Sequence, residues 1–201
     1  KAKCFLVTSA IPGEGKSLCS LNLAAEFSQN GLKTLLIEAD LRRPTLAKNL
    51  GLKGMGGLEL LTDSAIDPQN VIQASPVANL SIIACGRATM DPYKLLTSRP
   101  LLEFLEKVRD RFDRIVIDTP PVGTVSDAMG LCPCVDGVIW VTRFDTARKN
   151  VVVHALKKLL QINARIMGVI INDVDFTDPH IRHYYHYSDY DAYYGKTSKS
   201  K

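Results

Sequence analysis

No stretch of this chain approaches the roughly 20 consecutive apolar residues that a membrane-crossing helix requires, and no signal peptide is visible at its start. Strong charge of either sign is missing too: 25 Lys and Arg against 21 Asp and Glu leave +4, and no basic run interleaves with aromatics. That excludes a nucleic-acid groove and directs any phosphate-binding residues toward a nucleotide. Metal-ligand spacing is absent among the cysteines Cys4, Cys19, Cys85, Cys132 and Cys134, because Cys132-Pro133-Cys134 is too tight for C-x-x-C. Their odd number argues against a disulfide framework, and reduced thiols point to the cytoplasm. His180, His183 and His186 recur every three residues with no carboxylate set to complete a site, so they read as solvated. The lone tryptophan, Trp140, falls in a strand pattern and reads as core. What remains is an ordinary globular balance, 46% hydrophobic against 23% charged over 201 residues, enough for one domain with a sizeable core. The chain opens at Lys1 without a methionine and is expected to be a piece of something longer.

The most informative stretch is Ala10-Ile11-Pro12-Gly13-Glu14-Gly15-Lys16-Ser17, placed between the apolar run Phe5-Leu6-Val7 and a helical pattern from Leu18 to Asn30. Glycines keep Cβ atoms out of the way, so that successive backbone N–H groups converge on phosphate oxygens at a helix N-terminus. Lys16 adds a full positive charge and Ser17 a hydroxyl for magnesium. The pattern G-x-x-x-x-G-K-[ST] is met in a relaxed form, with Ala10 in place of the first glycine.

Apolar runs over Cys4 to Thr8, Thr34 to Ile37, Leu80 to Ala84, Ile115 to Ile117, Gly137 to Val141 and Ile166 to Ile171 predict six strands. Between them, Leu18, Leu21 and Ala25 share a helical face, as do Leu101, Leu105, Val108 and Phe112 behind Pro100, and Ala147, Val151, Ala155, Leu159 and Ile162. Short helical pieces are expected around Thr45 to Leu50 and Leu58 to Leu61, flanking the glycine-rich Gly51 to Gly57. Strands alternating with helices predict a doubly wound, mainly parallel α/β sheet with ligands at the strand C-termini. The domain is expected to occupy residues 1–178. Residues 179–201 read as a flexible tail in which Tyr184, Tyr185, Tyr187, Tyr190, Tyr193 and Tyr194 crowd into eleven residues with no aliphatic partners.

Phosphoryl transfer needs cradled phosphates, a bridging metal and a group that orients or deprotonates the nucleophile. Asp118 follows an apolar strand, as a magnesium-holding aspartate does, and Asp40 ends the second strand where it could ligate the metal and accept a hydroxyl proton. Capping of the local turns is the structural alternative for each. Arg42 and Arg43 fit a γ-phosphate, a carboxylate beside a tail tyrosine, or surface ion pairs, and sequence leaves these open.

These residues resemble the bacterial tyrosine kinases of the polysaccharide co-polymerase type, which share the P-loop ATPase fold of the ParA and MinD group. Residues 8–17 look like the family's Walker A motif, residues 35–44 (Leu-Leu-Ile-Glu-Ala-Asp-Leu-Arg-Arg-Pro) like its Walker A′, and residues 115–121 like its Walker B. The resemblance implies a three-layer P-loop NTPase sandwich and ATP and Mg2+ as cofactors. It implies that the loop from Pro12 to Leu18 (Pro12, Gly13, Glu14, Gly15, Lys16, Ser17, Leu18) binds nucleotide, and that Asn172 contacts the adenine. By the same resemblance Ser17, Asp40 and Asp118 serve the metal, Lys16, Asp40 and Asp118 the reaction, and the six tail tyrosines are autophosphorylation sites. It also implies a homo-oligomer, a ring in the full-length protein, with a membrane-anchored co-polymerase portion or activator at the inner face of the cell membrane. A role in exopolysaccharide or capsule production, and external tyrosine substrates, follow from it as well. Two departures stand out. Glu38 occupies a position where the family carries aspartate, which puts its share of the metal in doubt, and the arginine-bearing helix that mediates ring assembly would lie upstream of Lys1, so weaker self-association is expected. The rival is a ParA or MinD type ATPase switch, which carries an extra lysine where this sequence has Ile11.

Overall fold

The computed structural model describes residues 2–51, 57–62, 68–86 and 91–175; the six clustered tyrosines and His180, His183 and His186 lie outside the described residues. Seven strands form one sheet in the order β3-β4-β2-β5-β1-β6-β7. They are β1 (Cys4–Ser9), β2 (Thr34–Glu38), β3 (Gln73–Ala74), β4 (Leu80–Ile83), β5 (Arg114–Asp118), β6 (Gly137–Arg143) and β7 (Ile166–Asn172). All neighbours pair in parallel except β3, which runs antiparallel to β4 at the edge. Six of these strands match the apolar runs of the sequence. β3 was not foreseen, since two residues carry no periodicity.

The central strands are apolar on both faces because helices cover both. On one face Leu6, Ile37, Ile117 and Trp140 join α4 (Arg99–Val108) and α6 (Lys149–Gln161) through Leu101, Leu105, Ala155 and Leu159. On the other, Val7, Leu36, Val116 and Val141 pack on Ala24 of α1 (Lys16–Gln29). Truncating a fully buried member such as Leu6 to alanine would cost about 2–5 kcal/mol through lost burial and the cavity left behind. The α4 stripe, Phe112 included, is buried as its spacing predicted. The α6 stripe is only half so: Ala155 and Leu159 are buried, but Val151 and Ile162 are exposed, because α6 covers the sheet near its edge. Besides 3-10 turns at Leu58–Thr62, where a short helical piece was expected, Pro68–Val71 and Cys132–Cys134, the described residues form three short α-helices: α2 (Leu46–Asn49), α3 (Pro92–Leu96) and α5 (Asp127–Leu131). The last two were missed, being too short to show a helical repeat.

Parallel register brings the chemistry to one end. Asp118, the last residue of β5, pairs with Glu38, the last of β2, and with Val7 two residues before the end of β1, so the C-terminal ends of β1, β2 and β5 lie side by side. Among the described residues no helix is long and apolar enough to cross a membrane, and all five cysteines are free thiols.

Candidate active site

The loop between β1 and α1 is shaped by two glycines in the left-handed region, Gly13 at φ 85° and Gly15 at φ 89°. Side chains rarely tolerate that conformation, and at Gly15 a β carbon would also lie 2.0 Å from Asn172 Nδ2. Ala10 is not left-handed, so the loop does not need glycine there. The close approach at Ala10 is accommodated from the other side: a β carbon on Gly123 would sit 2.1 Å from the Ala10 carbonyl oxygen.

Glu14, expected to serve the nucleotide, turns its side chain inward. Its carboxylate accepts hydrogen bonds from the backbone N–H groups of Ala10 and Ile11, both at 2.8 Å, and from Thr142 Oγ1 at 3.1 Å. The residue is fully buried, and its carboxylate holds the loop together. Asn172, at the end of β7, donates from Nδ2 to the Glu14 carbonyl at 3.1 Å and braces the loop. In this arrangement neither Glu14 nor Asn172 lines the adjoining cavity. Thr142 and Gly123 carry no motif; their contribution is visible only once the strands are paired.

Lys16, Asp40 and Asp118 converge at the strand ends. Lys16 is 6% exposed, and loss of solvation lowers its pKa against the opposing pull of Asp118, Asp40 and Glu14. Asp118 is 1% exposed; burial pushes its carboxyl up to about 7, although the Ser17 and Ser20 hydroxyls and Lys16 favour the charged form. Ser20 Oγ donates to Asp118 Oδ1 at 3.0 Å. Ser20 belongs to the site and was missed, its only sequence signal being a position one turn beyond Lys16. Asp40 is also raised, first by burial, while the Arg43 backbone N–H, 3.1 Å from Oδ1, and Lys16 pull the other way.

Glu38 belongs to the scaffold. Its Oε1 accepts from the backbone N–H groups of Thr45 and Leu46 at 2.6 Å each, and Oε2 from that of Cys85 at 3.1 Å. The longer side chain thus ties the end of β2 to the start of α2 and to the segment after β4. The two arginines part company. Arg42 grips the buried Asp127 with Nε at 2.6 Å and Nη2 at 3.1 Å, whereas Arg43 forms no ion pair with any described residue.

A cavity of about 500 Å³ opens over these groups. It is lined by Pro12, Gly13, Gly15, Lys16, Ser17 and Leu18 from the loop, by Asp40, Arg42, Arg43 and Thr45 beyond β2, and by Pro120, Pro121, Thr124 and Val125 beyond β5. Asp118 lies beneath this lining, reached through Ser17 and Ser20. The available donors are hard oxygens. Ser17 and the carboxylates of Asp40 and Asp118 are the kind of ligand that Mg2+ takes beside phosphate and water oxygens.

Comparison with known proteins follows the same lines. The family model described as ParA, NUBPL iron-transfer P-loop NTPase, matches residues 2–192. Tyrosine-protein kinase YwqD of Bacillus subtilis is 34% identical over 85% of this chain and 72% of its own length. Tyrosine-protein kinase CpsD of Streptococcus pneumoniae is 35% identical over 88% of this chain and 78% of its own. The crystal structure of the VpsO kinase domain superposes with a TM-score of 0.82 at 38% identity, covering 87% of this chain and 86% of that one.

Proposed function

The chain belongs to the bacterial tyrosine-protein kinases built on the ParA-type P-loop fold, and from that premise we propose that it transfers the γ-phosphoryl group of ATP to tyrosines of its own C-terminal segment, presented by a neighbouring subunit. The observation that carries this reading is the meeting of Lys16, Asp40 and Asp118 at the end of three paired strands, beside a cavity that Lys16 and Asp40 line. In the proposed mechanism the backbone N–H groups from Gly13 to Ser17 cradle the β- and γ-phosphates, with Lys16 fixing their charge. Ser17, Asp118 and Asp40 fit Mg2+, which supplies charge neutralisation along the phosphates when bound. Asp40, the carboxylate that lines the cavity, positions the incoming phenol and takes its proton at a carboxylate oxygen as transfer proceeds. Asn172, from its place under the loop, is proposed to limit the adenine side.

Residues 1–178 are proposed as the kinase domain and residues 179–201 as the acceptor segment, with Tyr184, Tyr185, Tyr187, Tyr190, Tyr193 and Tyr194 as acceptors. Tethering gives such a segment a high effective concentration at the site of an adjacent copy. A place at the inner face of the bacterial membrane, beside a membrane-anchored co-polymerase partner, in exopolysaccharide or capsule production, is proposed with it, as the motif resemblance implies. Incubation with labelled ATP and Mg2+ tests the reading. Label on tyrosine, lost in Lys16→Met and on truncation at Tyr184, is the expected result. Phosphate release without protein label would refute it in favour of a ParA-type switch.

A further inference from the structure

Arg42 and Arg43 are sequence neighbours lining one cavity, yet their charges have different surroundings. The Arg42 guanidinium is held in a two-pronged grip by the buried Asp127, so its charge is already answered. Arg43 is exposed and has no side-chain partner among the described residues. Its backbone is nonetheless fixed, because its N–H donates to Asp40 Oδ1 at 3.1 Å. An unanswered cation is thereby anchored one hydrogen bond away from the carboxylate that an incoming phenol must approach. Across the cavity Pro120, Pro121, Thr124 and Val125 offer no charge.

The acceptor segment is not uniform in charge. Tyr190 alone of the six clustered tyrosines has a carboxylate on each side, Asp189 and Asp191. Tyr184, Tyr185 and Tyr187 neighbour His183, His186, Ser188 or each other, and Tyr193 and Tyr194 run toward Gly195 and Lys196. In an extended segment successive residues are about 3.3 Å apart and alternate in direction, so a phenol directed into the cavity leaves the flanking carboxylates at its rim. A long exposed guanidinium at that rim matches them in charge and reach.

We propose that Arg43 is a specificity-determining residue that reads Asp189 and Asp191, making Tyr190 the preferred acceptor among the clustered tyrosines. This rests on the kinase reading above and deepens it. Rim charge pairs act mainly on encounter and orientation, so the effect falls on the choice of acceptor.

The full chain is incubated briefly with ATP and Mg2+, and phosphate at each tyrosine is measured by mass spectrometry, with binding of a fluorescent ATP analogue followed in parallel. Tyr190 is expected to carry the largest early share, falling about fivefold in Arg43→Glu, the scale of one partly exposed guanidinium–carboxylate pair, and less in Arg43→Gln. Asp189→Lys with Asp191→Lys is expected to lower it equally, and combination with Arg43→Glu to restore it. An unchanged Tyr190 share in Arg43→Glu, or a loss that the reversed tail fails to recover, overturns the proposal. So does an equal decline at all six tyrosines that tracks lost nucleotide binding. Absence of tyrosine phosphate from the unaltered chain is a separate outcome, which overturns the kinase reading itself.

Discussion

Replacing Asp118 by asparagine is expected to stabilise the ligand-free protein at pH 8 while abolishing phosphoryl transfer. The carboxyl is 1% exposed, and burial raises its pKa from 3.8 to about 7. Below pH 4 the group is protonated in folded and unfolded chains alike and carries no penalty. Between pH 4 and 7 the unfolded chain loses the proton and the folded chain keeps it, so stability falls as pH rises; above 7 the penalty is complete. At about 1.4 kcal/mol per unit, three units correspond to a cost on the order of 4 kcal/mol for holding the ionised group in place. Asparagine carries no such charge and still offers an oxygen to the Ser20 hydroxyl, with about 1–2 kcal/mol forfeited in weakened hydrogen bonds. The net expectation is a gain of about 2–3 kcal/mol at pH 8 and little change at pH 5. Urea denaturation in EDTA at both pH values measures it. Lys16, whose pKa burial lowers against the pull of Asp118, loses that partner in the variant, so the measured gain is a lower bound on the cost relieved at Asp118. A variant less stable than the parent at pH 8, with the parent's pH slope retained, would refute the assignment of Asp118 as a strained, desolvated carboxylate.

Glu38→Ala strands three backbone N–H groups and is expected to cost about 2–5 kcal/mol in thermal or urea stability, while the Mg2+ concentration needed for nucleotide binding in Glu38→Gln stays near the parent value. Gly15→Ala combines a left-handed backbone with a collision at Asn172 Nδ2, so it should lose at least about 1 kcal/mol of stability and most nucleotide binding, read by calorimetry. Arg42→Ala leaves Asp127 buried without its partner and should destabilise by more than the double variant with Asp127→Asn, a difference that a denaturation cycle resolves; the half-exposed guanidinium keeps the coupling to about 1–2 kcal/mol.

The six parallel strands and the convergence of the site were legible because long parallel strands are marked twice, by apolar runs and by functional residues at their C-termini. Lys16, Ser17, Asp40 and Asp118 fell together as their spacing suggested. What sequence could not show is which atoms of a motif face the ligand. Glu14 and Asn172 lie in positions that the family pattern assigns to nucleotide, yet their side chains engage the loop itself, through pairing of β6 and β7 that brings Thr142 and Asn172 beside it. Ser20 and Asp127 belong to no motif at all. They act through partners 98 and 85 residues away, distances over which neither periodicity nor turn chemistry carries information.

The carboxylates at this end of the sheet divide by what satisfies them. Glu14, Glu38 and Asp127 receive two or more hydrogen bonds from the protein's own donors, and each joins segments that would otherwise be separate. Asp40 accepts from the backbone N–H groups of Arg43 and Arg42 and Asp118 from the Ser17 and Ser20 hydroxyls, yet burial outweighs these donors and drives both toward the neutral acid. Lys16 between them is driven toward the neutral amine. Such a triad is well matched to a ligand that brings both phosphate anions and a divalent cation, since each buried group then gains a partner of opposite charge. The same argument separates the neighbours Glu38 and Asp40 in a single motif: the one saturated by three backbone amides is architecture, and the one that lines the cavity and is driven toward the neutral acid by burial is chemistry. Stabilisation by ATP with Mg2+ should therefore exceed that by either alone and should grow from pH 6 to pH 8, as the penalty at Asp118 that the ligand relieves becomes complete. Thermal shift measurements across that range would contradict the division if the increment were flat in the parent protein, or if Asp118→Asn kept its slope.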